Sequence, residues 1–329
     1  MVKIAFFDTK DYDKELFDEY NKNYGYDITY FDSKLNKETA ELTKGYDVVC
    51  IFVNDKADEE TLKILEENGV KVVALRCAGF NNVDVDHKGR LRVVRVPQYS
   101  PYAVAEHTIA LLLNINRKIY KSYQRVKKYN FSLDGLLGFD VHGKTIGVIG
   151  TGRIGKAFIE IMKGFGTNII AYDLFKDEKA AEEMGFKYVE LDELLAQSDI
   201  ISLHCPLTKE TENIINKDSI DKMKKGVIIL NTSRGKLVDT DSLIDELSTG
   251  KIGGVGLDVY EDEEEFFFRD MSNSYKRDKN LSMLISMPNV IITAHQSFFT
   301  KEALNNIASD TCENIKQVMN GEKCKNEIL

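Results

Sequence analysis

No stretch of this chain stays apolar for the roughly 18 residues that a membrane-spanning helix needs, which argues against a bilayer span. No Lys/Arg cluster dominates any segment, and the net charge is −9. A nucleic-acid backbone, which asks for a basic face, is therefore not an expected partner. The five cysteines (50, 77, 205, 312 and 324) are odd in number and lack metal-ligand spacing. Reduced thiols in a cytoplasmic protein, with no metal, are the simplest reading. Met1-Val-Lys-Ile-Ala-Phe-Phe-Asp8 has too few apolar residues for a secretory signal and reads as a first strand. Repeats and low-complexity linkers are also missing. What is present is 329 residues, 43% hydrophobic and 29% charged, enough to build about two domains.

The rest is organised around Gly150-Thr-Gly-Arg-Ile-Gly155. Lys144-Thr-Ile-Gly-Val-Ile149 in front of it reads as a buried strand. Behind it, Ile154, Ala157, Phe158, Ile161, Met162 and Phe165 recur at helical spacing. In such a turn Gly150 permits the tight bend, Gly152 lets the backbone approach a pyrophosphate, and Gly155 lets helix and strand pack closely. The free amides and the positive end of the helix dipole then face the phosphates. The next apolar run, Asn168-Ile-Ile-Ala-Tyr172, ends in Asp173, 18 positions beyond Gly155. A carboxylate there accepts the adenosine-ribose hydroxyls and repels a 2′-phosphate. An ordinary loop would match the glycines alone; strand, helix and acid together point to NAD.

Strand-like and helix-like stretches alternate along 1–96 and again after Gly155, which implies an α/β fold with two doubly wound parallel sheets. The first strands are expected at 3–7, 28–31, 48–53, 70–75 and 93–96, with no phosphate-type glycine loop among them. Pro97-Gln-Tyr-Ser-Pro101 breaks the pattern, Ser100 serving as N-cap and Pro101 as first residue of a long helix. Its expected apolar face is Val104, Thr108, Leu111, Leu112, Ile115 and Ile119, with His107 a core or interface imidazole. A last helix, Thr300 to Met319, is expected to return to the first domain. The predicted division is 1–99 completed by 299–329, and 100–298, with the ligand site in a cleft between them that closes on substrate.

In the second half each strand delivers polar residues to one sheet edge: His204-Cys-Pro206, Asn231-Thr-Ser-Arg-Gly235, Asp258 and His295. Arg234 can grip a carboxylate through two parallel hydrogen bonds, or form a structural ion pair. His295 suits a proton donor near neutral pH, although loop histidines also serve structure. The acidic run that ends at Glu265 reads as a solvated face. One of its carboxylates can turn inward to His295 and favour the charged imidazole; the residues alone leave open which. Arg76-Cys-Ala-Gly-Phe-Asn-Asn-Val-Asp84 is either an anion-binding set of amides or a tight turn. Guanidinium, imidazole and nicotinamide together make hydride transfer to a 2-keto acid.

These blocks, with Val104-Ala-Glu-His107, Ile201-Ser-Leu-His-Cys-Pro206 and His295-Gln-Ser-Phe298 in the same order, resemble the D-isomer-specific 2-hydroxyacid dehydrogenases over essentially the whole chain. Within that family the fermentative D-lactate dehydrogenases are the nearest likeness. The resemblance implies a flavodoxin-like substrate domain, a Rossmann NAD-binding domain, and Arg234, Glu263 and His295 as the catalytic set. It implies NAD contacts from Gly150, Gly152, Arg153, Ile154, Gly155, Asp173, Cys205, Pro206, Thr211, Thr232, Ser233 and Asp258. The amides of Ala78 and Gly79 are to hold the substrate carboxylate with Arg234. Phe52, Tyr99 and Phe298 are to wall the methyl side beside His295. Phenylalanine at 52 removes a hydroxyl that some relatives carry as tyrosine, and the family's common proline after the catalytic glutamate is missing. The extended 264–287 segment is expected to be surface or subunit contact.

An aromatic wall offers nothing to a phosphate or a second carboxylate. The expected reaction is therefore reversible reduction of pyruvate to D-lactate by a homo-oligomer (dimer or tetramer). With no regulatory domain expected after the last helix, a phosphoglycerate-type enzyme is disfavoured. The alternatives are a reductase of longer 2-keto acids and a non-catalytic NAD-sensing binding protein.

Overall fold

The computed structural model describes residues 1–329, which divide into two compact units: Met1–Ser100 with Phe299–Leu329, and Pro101–Phe298. The first unit holds a five-stranded sheet of β1 (Lys3–Phe6), β2 (Asp27–Tyr30), β3 (Val48–Ile51), β4 (Val72–Leu75) and β5 (Arg92–Arg95). The order is β2-β1-β3-β4-β5 and every pair is parallel. This is the flavodoxin-like order. β3 and β4 are buried along their whole length, as strands covered on both faces must be, so they read as unbroken apolar runs. The helix Lys301–Met319 completes this unit by burying Ala308, Cys312, Ile315 and Val318 against Ile4, Phe6, Val48 and Val72.

The second unit holds β6 (Thr145–Ile149), β7 (Asn168–Tyr172), β8 (Lys187–Tyr188), β9 (Ile200–Leu203), β10 (Val227–Asn231), β11 (Ile252–Leu257) and β12 (Val290–Ile292). Their order is β12-β11-β10-β9-β6-β7-β8, all parallel, which is the doubly wound dinucleotide-binding arrangement with one strand added. Parallel pairing puts all seven carboxyl ends on one edge. The edge strand β8 has only two residues, too short for a periodicity to reveal it.

Two expectations need correction. The helix that begins at Pro101 ends at Arg117, because Lys118 adopts the left-handed conformation (φ 50) and a second helix, Ile119–Val126, starts after it. Ile119 therefore leaves the apolar face and is 58% exposed. The 264–287 segment is likewise not all surface. Phe267 is buried in the same core as Tyr260, Leu281 and Leu284, and the helix Lys279–Ser286 is capped by Asp278, which accepts from the Leu281 amide at 2.6 Å. The Tyr260 hydroxyl donates to the same carboxylate at 2.6 Å. An aromatic triplet inside an acid-rich stretch thus anchors a loop from within.

Truncating that anchor should be felt by the whole unit: Phe267→Ala is expected to cost about 3–5 kcal/mol in urea unfolding. Tyr275→Ala, at a fully exposed position of the same segment, should leave the unfolding midpoint unchanged.

Candidate active site

The carboxyl edge of the seven-stranded sheet begins with the glycine turn after β6. Gly150 sits at φ 96, and a Cβ there would meet the Cys205 amide nitrogen at 2.5 Å. A Cβ on Gly155 would run into the Gly150 carbonyl oxygen. Both glycines are required by the fold itself. Gly152 differs: it is exposed, nothing lies within 4 Å of where its Cβ would be, and no side chain caps the helix Arg153–Gly164 that it opens. The first amides of that helix are thus available to an anion. Arg153 is exposed and Ile154 half-buried at the same end.

Asp173 follows β7. Its Oδ2 accepts from the Thr151 amide at 2.6 Å and the Thr151 hydroxyl at 3.0 Å, and its Oδ1 accepts from the Phe175 amide at 2.9 Å. A half-buried carboxylate is thereby tied to the glycine turn, where a ribose would follow a pyrophosphate. These residues fit a dinucleotide without 2′-phosphate. Thr151, which reading the sequence passed over, also meets the Tyr188 hydroxyl at 2.7 Å. Its position inside the glycine motif was the available signal.

Under the turn after β9, Cys205 is buried, and burial pushes its thiol up to about 11, so it packs rather than reacts. Its neighbour His204 is pushed down to about 3 by burial, with Nε2 2.8 Å from the Ser202 hydroxyl. The Thr211 hydroxyl donates to the Pro206 carbonyl at 2.7 Å, and the Ser233 hydroxyl donates to the Cys205 carbonyl at 2.6 Å. The Thr232 hydroxyl pairs with that of Thr108 at 2.8 Å. Pro206 is exposed on the same edge.

Three neighbouring strands, β10, β11 and β12, deliver Arg234, Glu263 and His295. The Asn231 side chain donates to the Arg234 carbonyl at 2.8 Å and accepts from the Ser233 amide at 3.0 Å, which shapes the arginine turn. Gly235 lies so close to the Tyr260–Glu261 backbone that a Cβ would clash there, so the arginine turn rests on the glutamate turn. The half-buried Arg234 guanidinium donates to the Ser233 carbonyl at 2.7 Å and enters no ion pair, leaving most of its donors for a ligand.

Of the acidic run it is Glu263 that meets His295, Oε1 lying 2.6 Å from Nδ1, while Oε2 accepts from the Tyr260 amide at 3.0 Å. A carboxylate only accepts, so Nδ1 carries the hydrogen and Nε2 is left for other chemistry. The Phe268 ring stands 5.9 Å from the imidazole, a neighbour the sequence did not announce. His295 itself has φ 51, and its amide donates to the Asp258 carbonyl at 2.7 Å.

The Asp258 carboxylate is wholly buried and occupied by protein donors. It accepts from the Thr293 hydroxyl at 2.5 Å and from the Gln296 and Ser297 amides, each at 2.8 Å. His107 Nε2 lies 3.0 Å from the Thr293 hydroxyl and 3.5 Å from Asp258. Burial lowers that imidazole below the usual histidine range, with Asp258 pulling the other way. Phe298 is buried where this turn ends.

In the five-stranded sheet, Phe52 follows β3 and is buried, while Ala78 and Gly79 lie half-buried after β4, the neighbouring strand. The Ala78 carbonyl accepts from Arg95 Nη1 at 2.6 Å. Tyr99 is half-buried beyond β5, and its carbonyl accepts from the Asn306 side chain at 2.5 Å. Arg76 is fully buried beneath these turns, its guanidinium 4.4 Å from the Phe6 ring and 4.9 Å from the Phe52 ring.

Comparison with known proteins gives a consistent result. Residues 109–297 match the family described as "D-isomer specific 2-hydroxyacid dehydrogenase, NAD binding domain". A 2-hydroxyacid dehydrogenase homolog of Haemophilus influenzae is 51% identical, over 100% of this chain and 99% of its own. D-lactate dehydrogenase of Escherichia coli is 47% identical over 100% of both chains. The solved apo-structure of D-lactate dehydrogenase from Escherichia coli superposes with a TM-score of 0.90 at 45% identity, covering 100% of both.

Gly155 and Gly152 should separate in experiment. Gly155→Ala is expected to lower stability by about 1–3 kcal/mol through overpacking, read as a lower thermal midpoint. Gly152→Ala should leave the midpoint in place and weaken NADH, read by quenching of the nicotinamide fluorescence. Equal NADH affinity in Gly152→Ala and the parent would remove the cradle assignment.

Proposed function

The chain belongs to the D-isomer specific 2-hydroxyacid dehydrogenase family, and on that premise we propose that it reduces pyruvate to D-lactate. Its cofactor is NAD, which when bound in reduced form supplies the hydride. Gly150, Gly152, Arg153, Ile154 and Gly155 would hold the pyrophosphate, and Asp173 the adenosine ribose. Cys205, Pro206, Thr211, Thr232 and Ser233 would line the remainder; Asp258, expected from the sequence to touch the cofactor, is instead wholly buried and saturated by Thr293, Gln296 and Ser297, so it shapes the edge from beneath.

Arg234 binds the substrate carboxylate through parallel N–H groups and draws electron density toward the ketone oxygen. The amides of Ala78 and Gly79 hold the same carboxylate, and Phe52, Tyr99 and Phe298 wall the methyl group. His295 gives the proton on Nε2 to the carbonyl oxygen as the carbon is reduced. Its Nδ1–H stays hydrogen-bonded to Glu263, which orients the ring. In the reverse direction the same nitrogen takes the proton back from the hydroxyl. What supports this reading is the 2.6 Å bond from His295 to Glu263 together with an arginine that enters no ion pair, carried on turns at the ends of three successive strands.

No helix is long and apolar enough to cross a membrane, and we assign the enzyme to the cytoplasm. A net charge of −9 fits a small-molecule partner better than nucleic acid. Ile119, Tyr123, Val126, Phe131, Leu133 and Leu137 stand exposed on one stretch, an apolar surface that a second copy would cover in a homo-oligomer.

The deciding experiment is NADH oxidation with pyruvate, 2-ketobutyrate and phenylpyruvate, followed by chiral analysis of the product. Pyruvate should give the highest kcat/KM and D-lactate the product; turnover of phenylpyruvate alone would replace the substrate, and no turnover would remove the activity. Arg234→Lys should lose roughly 10- to 100-fold in kcat/KM despite keeping its charge, because one ammonium cannot reproduce the paired bonds. Near-parental turnover would remove the carboxylate clamp.

A further inference from the structure

The two turns assigned to substrate in the five-stranded unit are separate pieces of chain, 52–57 after β3 and 76–84 after β4. Sheet pairing ends at Ile51↔Leu75, so beyond it something else must set the spacing between the Phe52 side chain and the Ala78 and Gly79 amides. The side chain of Asn82 spans the gap. Its Nδ2 donates to the Phe52 carbonyl at 2.9 Å and to the Asp55 carbonyl at 2.8 Å. The Asn82 main-chain carbonyl accepts from the Ala57 amide at 2.9 Å, the Asp84 amide donates to the Ala57 carbonyl at 3.0 Å, and Ala57 and Val83 form an isolated parallel bridge.

The 52–57 turn is held from its other side as well. The fully buried Asp55 accepts from the Phe52 amide at 2.5 Å and from the Leu35 amide at 2.6 Å. Both backbone groups of Phe52 are thus held, the N–H by Asp55 and the carbonyl by Asn82, with Arg76 against its ring. Asp55 stabilises the turn internally; Asn82 alone of these side chains ties its main chain to the turn that carries the amides.

We propose that Asn82 is a positioning residue for substrate size. Its amide sets the Phe52 wall at the distance from the Ala78–Gly79 amides that a three-carbon keto acid requires. This rests on the pyruvate-reductase reading above and deepens it. An asparagine is suited to the task because one NH2 group carries two hydrogens, one for each carbonyl. Without it the wall recedes, the carboxylate and methyl contacts are no longer made together, and the penalty against a longer chain shrinks.

Three variants test this: Asn82→Asp, of the same shape but with no hydrogen to give, Asn82→Ala, and the milder Asn82→Ser, which keeps one donor. For pyruvate KM should rise about 10-fold in the first two, the expected loss of two neutral hydrogen bonds. Asn82→Ser should fall between them and the parent. The kcat at saturation should stay within about twofold, because His295 and Arg234 are untouched. NADH affinity should be unchanged, and the kcat/KM ratio of pyruvate to 2-ketobutyrate should fall. A merely structural role would lower the thermal midpoint without moving that ratio. Parental KM and ratio in any folded variant overturn the proposal, and Asn82→Ser decides if the other two do not fold. A parent enzyme inactive on pyruvate would instead overturn the reading beneath it.

Discussion

The buried carboxylate of Asp258 is the constraint on which the chemical edge of the second unit depends. A carboxylate out of water must have its oxygens satisfied, and here the satisfying groups are the Thr293 hydroxyl and the Gln296 and Ser297 amides. Those donors belong to the turn that contains His295. The turn is wrapped around the acid, and in wrapping it forces His295 into a left-handed conformation that a non-glycine residue seldom adopts. The His295 amide donating to the Asp258 carbonyl completes the wrap. The imidazole is therefore aimed by main-chain geometry before Glu263 touches it.

That arrangement reaches further than the turn. His107, on the helix that opens the unit, meets the same threonine and lies near the same acid, so the position of the helix and the position of His295 are coupled. The neutral imidazole that burial favours can exchange hydrogen bonds with the Thr293 hydroxyl without adding a second charge. Arg234 is set independently, by Asn231 within its own turn and by the close rest of Gly235 on the backbone of Tyr260 and Glu261. Three turns from separate parts of the sequence gather on one edge because β10, β11 and β12 are successive strands of a parallel sheet. Strand order is what turns scattered residues into a constellation.

Much of this was legible in the order of residues. Buried parallel strands leave unbroken apolar runs, and eleven of the twelve could be read from Lys3–Phe6 to Val290–Ile292 for that reason. The glycine turn was legible because Gly150 and Gly155 each answer a separate steric demand between a strand and a helix. Less could be read where a local pattern competes with a tertiary one. Helical periodicity carries Ile119 onto the apolar face, but the left-handed Lys118 interrupts the helix first. The run from Glu261 to Glu265 reads as solvated, yet Glu263 is drawn to an imidazole and Phe267 into the core. Phe268 and Asn82 carry no pattern of their own, and Thr151 has only its place inside the glycine motif, since what they hold is remote in sequence.

The sequence by itself determined the fold class, the strand–glycine turn–helix unit and the kind of groups that gather at the strand ends, because those follow from local sterics and from the periodicity of burial. Only the tertiary structure decided which donors saturate Asp258 and which side chain joins the turns after β3 and β4. Those choices depend on distances between segments that the chain brings together only after the sheets have formed.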